Sequence, residues 1–218
     1  MICVENVEVF GFKHAIRGMR NPMNSWDRSD SLFEGNDILN NDVLKGGTPI
    51  TDLGKNDLDL MKRLYASGTE HRKYLRQIFV SMDITAPLYW WKDFDTYKVG
   101  TVANSCSTMH KIHAKEFKLE DFSTEHLTDT NLLWFQGIVD LLNSNRQRYL
   151  ESKDKNDWWQ LIQLLPSSYN QRRTITMNYE NVMSIINQRE NHKLDEWHKF
   201  CENVLRKLPY VNDIRGES

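Results

Sequence analysis

Residues 78–85, IFVSMDIT, alternate apolar and polar side chains with Phe79 as the one exception, and they constrain the fold most tightly. A period of two puts Ile78, Val80, Met82 and Ile84 on one face of a strand, with Ser81, Asp83 and Thr85 on the other. Such a strand needs neighbours for its backbone hydrogen bonds and a core over its apolar face. It ends at Ala86-Pro87, where proline at a first helical turn opens a helix over LYWWKDFDTYKV, residues 88–99.

A shorter alternation, VENVEVF at 4–10, predicts a first strand, followed by a helix around Lys13–Met19. Asp57–Ser67 carries Leu58, Met61, Leu64 and Tyr65 at helical spacing before Gly68. Helical patterns dominate the second half. Trp134, Ile138, Leu141, Leu142 and Tyr149 mark an amphipathic helix over 131–149, and DWWQLIQLL forms another that stops at Pro166. Residues 178–190 place Val182, Ile185, Ile186 and Arg189 at i, i+3, i+4 and i+7. A last helix carries Leu194, Trp197, Cys201, Val204, Leu205 and Leu208 on one stripe. Between the first two helices, RNPMNSWDRSDSLFEGND and the turn-forming KGGTP make residues 28–56 a long loop or insertion. The pattern predicts a helix-rich α+β fold in a single domain over 1–218.

Seven tryptophans and a 39% hydrophobic content supply a core for 218 residues. A net charge of −2 gives no basic face for duplex nucleic acid. No run of about 18 apolar residues is present to span a membrane, and MICVENVEVF lacks the features of a signal peptide. Three dispersed cysteines, Cys3, Cys106 and Cys201, form no CxxC pair. They point to a reducing, cytoplasmic setting and away from a zinc site.

Several residues have two readings. Arg189 lies in register with an apolar stripe, so it either makes an ion pair with Asp195 or Glu196 or serves a ligand in a cleft. His192, with Asn191, either caps that helix or contacts a ligand. Cys106 is a packing residue or a thiolate nucleophile. Trp90 and Trp91 fill the core or stack on a flat ring. His110 and His113, spaced i, i+3 without a matching carboxylate, make a poor metal site.

Four stretches together resemble the flavin-dependent thymidylate synthases, the ThyX family. AIRGMRNPMNSWD (15–27) is similar to the family's arginine-rich helix and the Ser-Phe-Asp turn that meets the flavin, with Ser25-Trp26-Asp27 as the turn. HRKYLRQIFVSMDITAP (71–87) matches a histidine-led segment, strand and Ala-Pro. Lys73 and Arg76 fall where the family commonly has a threonine and a glutamate. DTYKVGTVANSCSTMHK (95–111) aligns with the signature R-H-R-x-x-S-x-N-E-x-S-x-R. Thr96-Tyr97-Lys98 stand at Arg-His-Arg, Asn104 and Ser107 match, Ser105 replaces the glutamate and Met109 the last arginine. In LLPSSYNQRRTITMNYENVMSIINQRENHKLDEW (164–197), Leu165-Pro166, Tyr169, Arg172, Thr176, Asn178, Met183, Arg189, His192 and Trp197 keep the family's order. There, Glu180 stands at a frequent arginine, and Ile162–Gln163 stand near a phosphate-binding arginine.

The resemblance implies a small antiparallel sheet among helices, with an active site between subunits of a homotetramer. It implies FAD as cofactor, a pyrimidine deoxynucleotide as substrate, and NADPH and methylenetetrahydrofolate as co-substrates. Cofactor contacts fall on Ser25, Lys73, Arg76, Thr96, Tyr97, Lys98, Asn178, Arg189 and His192. Substrate contacts fall on Asp93, Asn104, Ser105, Ser107, Thr108 and Gln163. Arg189 is the catalytic candidate, stabilising charge that develops on a pyrimidine carbonyl, which returns Cys106 to packing or a ligand contact. The missing arginines would need replacement by Lys98, Lys111, Arg72, Arg172 or Arg173. A non-catalytic flavin- or nucleotide-binding protein that retains the fold is the alternative.

Overall fold

The computed structural model describes residues 1–33 and 50–217. In chain order these form β1 (Cys3–Phe10), α1 (Phe12–Arg20), β2 (Leu32–Phe33), β3 (Ile50–Asp52), α2 (Lys55–Ala66), β4 (Phe79–Pro87), α3 (Leu88–Phe94) and β5 (Thr101–Ser105). The chain continues with α4 (Asp129–Ser152), α5 (Lys155–Leu164), β6 (Asn170–Asn178), α6 (Tyr179–Arg189), α7 (Asp195–Asn203) and α8 (Val211–Arg215). The fold is α+β: a small antiparallel sheet, ordered β1-β4-β6-β5, accompanies the helices, and β2 pairs separately with β3. Among the described residues no helix is long and apolar enough to cross a membrane.

The alternation over 78–85 is realised in β4. Ile78, Val80, Met82 and Ile84 are buried, whereas Ser81, Asp83 and Thr85 are half-buried. Four strands lie where no strand was expected: β2 and β3 fall at the two ends of the expected loop, and β5 and β6 belong to the main sheet. β5 is an exposed terminal strand of the sheet, with no apolar face to betray it. β6 begins with Asn170, a buried Gln171 and two arginines, so its apolar alternation is confined to Ile175 and Met177.

Two helices end earlier than their patterns imply. α3 stops at Phe94, where the Asp95 amide bonds to the Trp91 carbonyl (2.8 Å) and the Thr96 hydroxyl to the Asp93 carbonyl (2.8 Å). Tyr97–Val99 are therefore not helical. The expected last helix breaks at Val204 (φ −120°, ψ −68°) into α7, a 3-10 turn at Leu205–Lys207, and α8. Its apolar stripe stays inside regardless, since Trp197, Cys201 and Leu205 are fully buried.

The chain divides into two compact units, and each of the four main strands contributes one part to each. The first unit comprises Met1–Glu5, Asp83–Thr96 and Ala103–Thr174. One cluster in it joins Ile112, Phe117, Phe122, Val139, Leu142 and Leu161, and the carboxamide of Asn143 bonds both the amide and the carbonyl of Phe117 (2.8 and 2.9 Å). Trp90 and Trp91 are core residues that pack on Phe94. On α4 the core face carries Val139, Leu142 and Asn145. Trp134, Ile138 and Leu141, expected on that face, are exposed beside Leu133. The helix is apolar on two sides, so its period does not reveal which side meets the core.

The second unit comprises Asn6–Met82, Tyr97–Val102 and Ile175–Ser218. Its fixed point is the fully buried carboxylate of Asp57, near the start of α2. Asp57 accepts from Arg20 Nε (2.6 Å), the Ser29 and Ser31 hydroxyls (2.8 and 2.7 Å) and the amides of Asp30 and Ser31 (both 3.1 Å). Asp30 returns the contact, its carboxylate accepting from the Asn56 and Asp57 amides. The two ends of the expected insertion are thereby tied to α2. Its centre, with the expected turn at 45–49, lies outside the described residues.

Burial alone would raise the Asp57 pKa, but hydrogen bonds from Ser31, Ser29 and Arg20 outweigh it and hold the group below its ordinary value. A depressed folded value stabilises above the unfolded one, ~3.9, and that stabilisation is lost as pH falls through the folded value. Asp57→Ala, which strands the buried Arg20 guanidinium, is expected to cost about 3–5 kcal/mol. Chemical denaturation at neutral pH measures this, and the variant should also lose part of the acid-induced fall in stability.

Candidate functional site

Residues 97–101 lie along α6 in the second unit. Asn178 is the N-cap of α6, its side-chain oxygen accepting from the Asn181 amide (3.0 Å). The Asn181 carboxamide in turn donates to the Val99 carbonyl (2.8 Å) and the Thr101 hydroxyl (2.9 Å). Gly100 makes this approach possible. It has φ +75°, and a Cβ there would fall 2.4 Å from Asn178 Nδ2.

At the other end of α6, Arg189 Nε donates to the Tyr97 hydroxyl (2.8 Å), and that hydroxyl donates to Gln188 Oε1 (3.0 Å). The Arg189 guanidinium lies 5.1 Å from the centre of the Trp197 ring and 5.6 Å from that of Tyr97. Two aromatic faces and a phenol hydroxyl thus orient the half-buried cation. His192 follows the helix end, its amide bonded to the Arg189 carbonyl (3.0 Å) and its ring beside Trp197. His192 Nδ1 accepts from the Leu194 amide (3.2 Å), so a neutral ring carries its proton on Nε2. Tyr97, Asn178, Arg189 and His192 therefore share one helix and its ends, and Lys98, beside Tyr97, is exposed without an ion pair among the described residues.

The other cofactor candidates are more dispersed. Ser25 is half-buried, its carbonyl accepting from Arg20 Nη1 (3.2 Å), and it lines a cavity of about 830 Å³ with Arg28, Arg63 and His71. Lys73 is exposed at a second cavity, of about 540 Å³, which also touches His71. Arg76 pairs with Glu180 in two hydrogen bonds, one of 3.2 Å, and the first raises the Arg76 pKa above its ordinary value. Arg76 and Glu180 both depart from the resembled pattern, at a glutamate and an arginine, and here they are partners with exchanged signs. Thr96 belongs to the first unit and is engaged in the turn that ends α3.

The substrate candidates lie in the first unit. Ser107 and Thr108 line a cavity of about 400 Å³ with Cys106, Thr85, Tyr169, Asn170 and Arg172. Ser107 Oγ accepts from the His110 amide (2.9 Å) and the Met109 amide (3.2 Å). Cys106 is exposed rather than packed, held by its backbone to the Arg172 carbonyl and the Gln171 side chain. Asp93 on α3, Asn104 and Ser105 on β5, and Gln163 on α5 are not part of this lining. Burial, then Asp121 and Cys106, push the Tyr169 phenol above its usual range. The cations suggested as replacements are largely engaged: Arg172 with Asp83 and Glu5, Arg173 with Asp95, and Arg72 with the Tyr65 carbonyl and ring. Among the described residues no three His, Cys, Asp or Glu side chains group to hold a metal ion.

Sequence reasoning missed Gln188, Asn181 and Gly100 beside α6, and Thr85 and Asn170 at the cavity. Asn178 and Asn181 at i, i+3 before an apolar run were a readable capping signal. Thr85 was placed on the polar face of its strand but nothing marked that face as a cavity wall, and Asn170 gave no signal because β6 itself was unrecognised.

No family model and no curated protein matches the sequence. Two solved structures of the flavin-dependent thymidylate synthase ThyX from Helicobacter pylori, each complexed with FAD and dUMP, share the fold. One aligns with a TM-score of 0.65 at 16% identity over 98% of this chain and 96% of that one. The other aligns with a TM-score of 0.64 at 16% identity over 99% and 96%.

The exchanged pair makes a direct prediction. Arg76→Glu and Glu180→Arg should each lower the melting temperature, and the double exchange should recover part of the loss. Exposure limits the expected coupling to about 0.2–1 kcal/mol, measurable by a double-mutant cycle.

Proposed function

We propose that this chain is a ThyX-like flavoprotein binding FAD and a pyrimidine deoxynucleotide. Its reaction is a reductive one-carbon transfer of the thymidylate synthase type, on dUMP or a related nucleotide. One observation carries the reading: Tyr97, Arg189 and His192, drawn from two remote stretches, meet at the C-terminal end of α6, whose first turn Asn178 caps. The fold around them is that of enzymes solved with FAD and dUMP.

Arg189 and His192 at the end of α6 suit the carbonyls and ring nitrogens of a flat heterocycle, whereas Asn178, whose oxygen caps the helix, offers its amide nitrogen at the opposite end. Arg189 supplies an oriented charge beside a developing oxyanion, and Lys98 an exposed one for a phosphate group. FAD would supply the redox chemistry, with NADPH as electron source and methylenetetrahydrofolate as one-carbon donor. A catalytically silent flavin- or nucleotide-binding protein is the second reading, favoured by the engagement of Arg172 and Arg173 with carboxylates.

Purified protein should take up FAD and acquire its visible absorption, and a chain that stays colourless with added FAD would sink the flavoprotein reading. NADPH oxidation should depend on dUMP and methylenetetrahydrofolate; FAD uptake without turnover would select the silent alternative. Arg189→Ala should lower turnover by roughly 10²-fold or more with an unchanged melting temperature, and retained activity would remove its catalytic role.

We also propose that copies of the chain assemble as a homotetramer. Leu133, Trp134, Ile138 and Leu141 present an apolar face on α4 that a second copy would cover. Trp134→Glu should shift the mass in analytical ultracentrifugation toward smaller species. An unchanged mass would exclude this face as the interface.

A further inference from the structure

We infer that the basic cluster of Lys111, Arg146 and Lys153 around His113 binds a phosphate dianion, either free phosphate or the phosphate of a monoester. The cluster lies wholly in the first unit, and its role does not depend on flavin binding. Residues 110–118 and the end of α4 bring its members together. Arg146 Nε donates to the His113 carbonyl (3.0 Å), and the His113 ring stands edge-on to that of Tyr149, with 4.9 Å between centres. The Lys153 ammonium lies 5.7 Å from the centre of the same Tyr149 ring. A turn from the Lys111 carbonyl to the Ala114 amide (2.9 Å) carries the chain from Lys111 through His113.

This charge has no internal answer. Among the described residues none of the three cations makes an ion pair. Arg146 is half-buried and uses only its Nε, so both of its Nη groups remain for an acceptor. Residues 110–118 and 146–157 carry seven Lys and Arg against four Asp and Glu. Three of those carboxylates accept from other groups: Glu151 from the Gln147 carboxamide (2.7 Å), Asp154 from the Asn156 amide (2.6 Å) and Asp157 from the Ser152 hydroxyl (2.6 Å). Burial, then the charges of Lys153, Lys111 and Arg146, push the His113 pKa below its ordinary value, so the charges acting on the ring are all positive. Among the described residues the ring has no hydrogen bond, and its Nδ1 is buried without a partner. The dipole of α4 favours one cation at its end, which accounts for Lys153 but not for three cations together. Like charges held close repel, and a bound anion removes that repulsion. A phosphate dianion offers two negative charges and several acceptor oxygens, which the Arg146 fork and two ammonium groups can share. Lys111 and Lys153 are exposed, so one oxygen can carry an ester substituent toward solvent.

Proton NMR of the histidine Cε1–H signals in the full-length chain tests the inference, with His113 assigned by the loss of its signal in His113→Gln. Sodium phosphate is added at about pH 7.5, where the dianion predominates, against sodium chloride of equal ionic strength. The His113 signal should shift saturably with phosphate, half-saturating at about 1 mM or below, and should not respond to chloride. Lys111→Gln and Lys153→Gln, both at exposed positions, should each weaken phosphate binding about fivefold or more at an unchanged melting temperature. NADPH and NADH separate the two sources of the phosphate. A His113 response to NADPH tighter than to phosphate, with NADH silent, assigns the site to a nucleotide's phosphate monoester. Equal affinities for NADPH and phosphate assign it to the phosphate group alone. A His113 signal that follows ionic strength only overturns the inference, as does a phosphate affinity unchanged in both lysine variants.

Discussion

A buried carboxylate accepting five hydrogen bonds is the constraint on which the second unit depends. Asp57 has no solvent to fall back on, so every donor lost to it leaves an acceptor unsatisfied in a low-dielectric interior. Its donors come from the end of α1 and from Ser29–Ser31, and Asp57 itself belongs to the first turn of α2. One side chain therefore sets where two helices and the turn between them stand. Ser25 inherits its place from the same network, because Arg20 bonds both Asp57 and the Ser25 carbonyl. The long stretch between α1 and α2 does not cost the site its geometry, since both ends are clamped by charge-assisted bonds.

The path of residues 97–101 along α6 is fixed in a different way. Neutral amides do the holding: Asn178 caps the helix, Asn181 reaches the Val99 carbonyl and the Thr101 hydroxyl, and Gly100 lets the two backbones approach. Each such bond contributes only ~0.5–1.5 kcal/mol, yet together they determine where Tyr97 stands. Tyr97 then orients Arg189 from one side while Trp197 flanks it from the other. The orientation of the principal cation is thus a consequence of helix capping.

Charge is distributed in an equally ordered way. Arg76 and Glu180 stand where the resembled pattern has a glutamate and an arginine, and here they pair with each other, so their charges cancel. At the first unit's cavity, by contrast, Arg172 is committed to two carboxylates and Lys115 to a third. Arg189 is thus oriented by a phenol and an indole, whereas Arg172 and Lys115 are paired with carboxylates.

The strand at 78–85, the four helices of the second half and the α+β class were legible because each rests on a short-range period that burial enforces directly. Arg189 was legible as a cation in register with the apolar stripe of α6, whereas Asn178 and His192 stood out as candidates only through the resemblance. Other features depended on neighbours remote in sequence. β5 and β6 carry too few apolar residues to declare themselves, α3 ends through a side-chain cap, and α4 is apolar on both sides, so only packing selected its buried face. By itself the sequence determined where β1, β4 and most of the helices lie and which face of β4 is buried. Only the tertiary structure decided that Arg76 meets Glu180, that Tyr97 orients Arg189, and that Arg172 is committed to Asp83 and Glu5. Periodicity acts between residues a few positions apart, while these pairs lie about 90 or more positions apart and exist only once the strands and helices have packed.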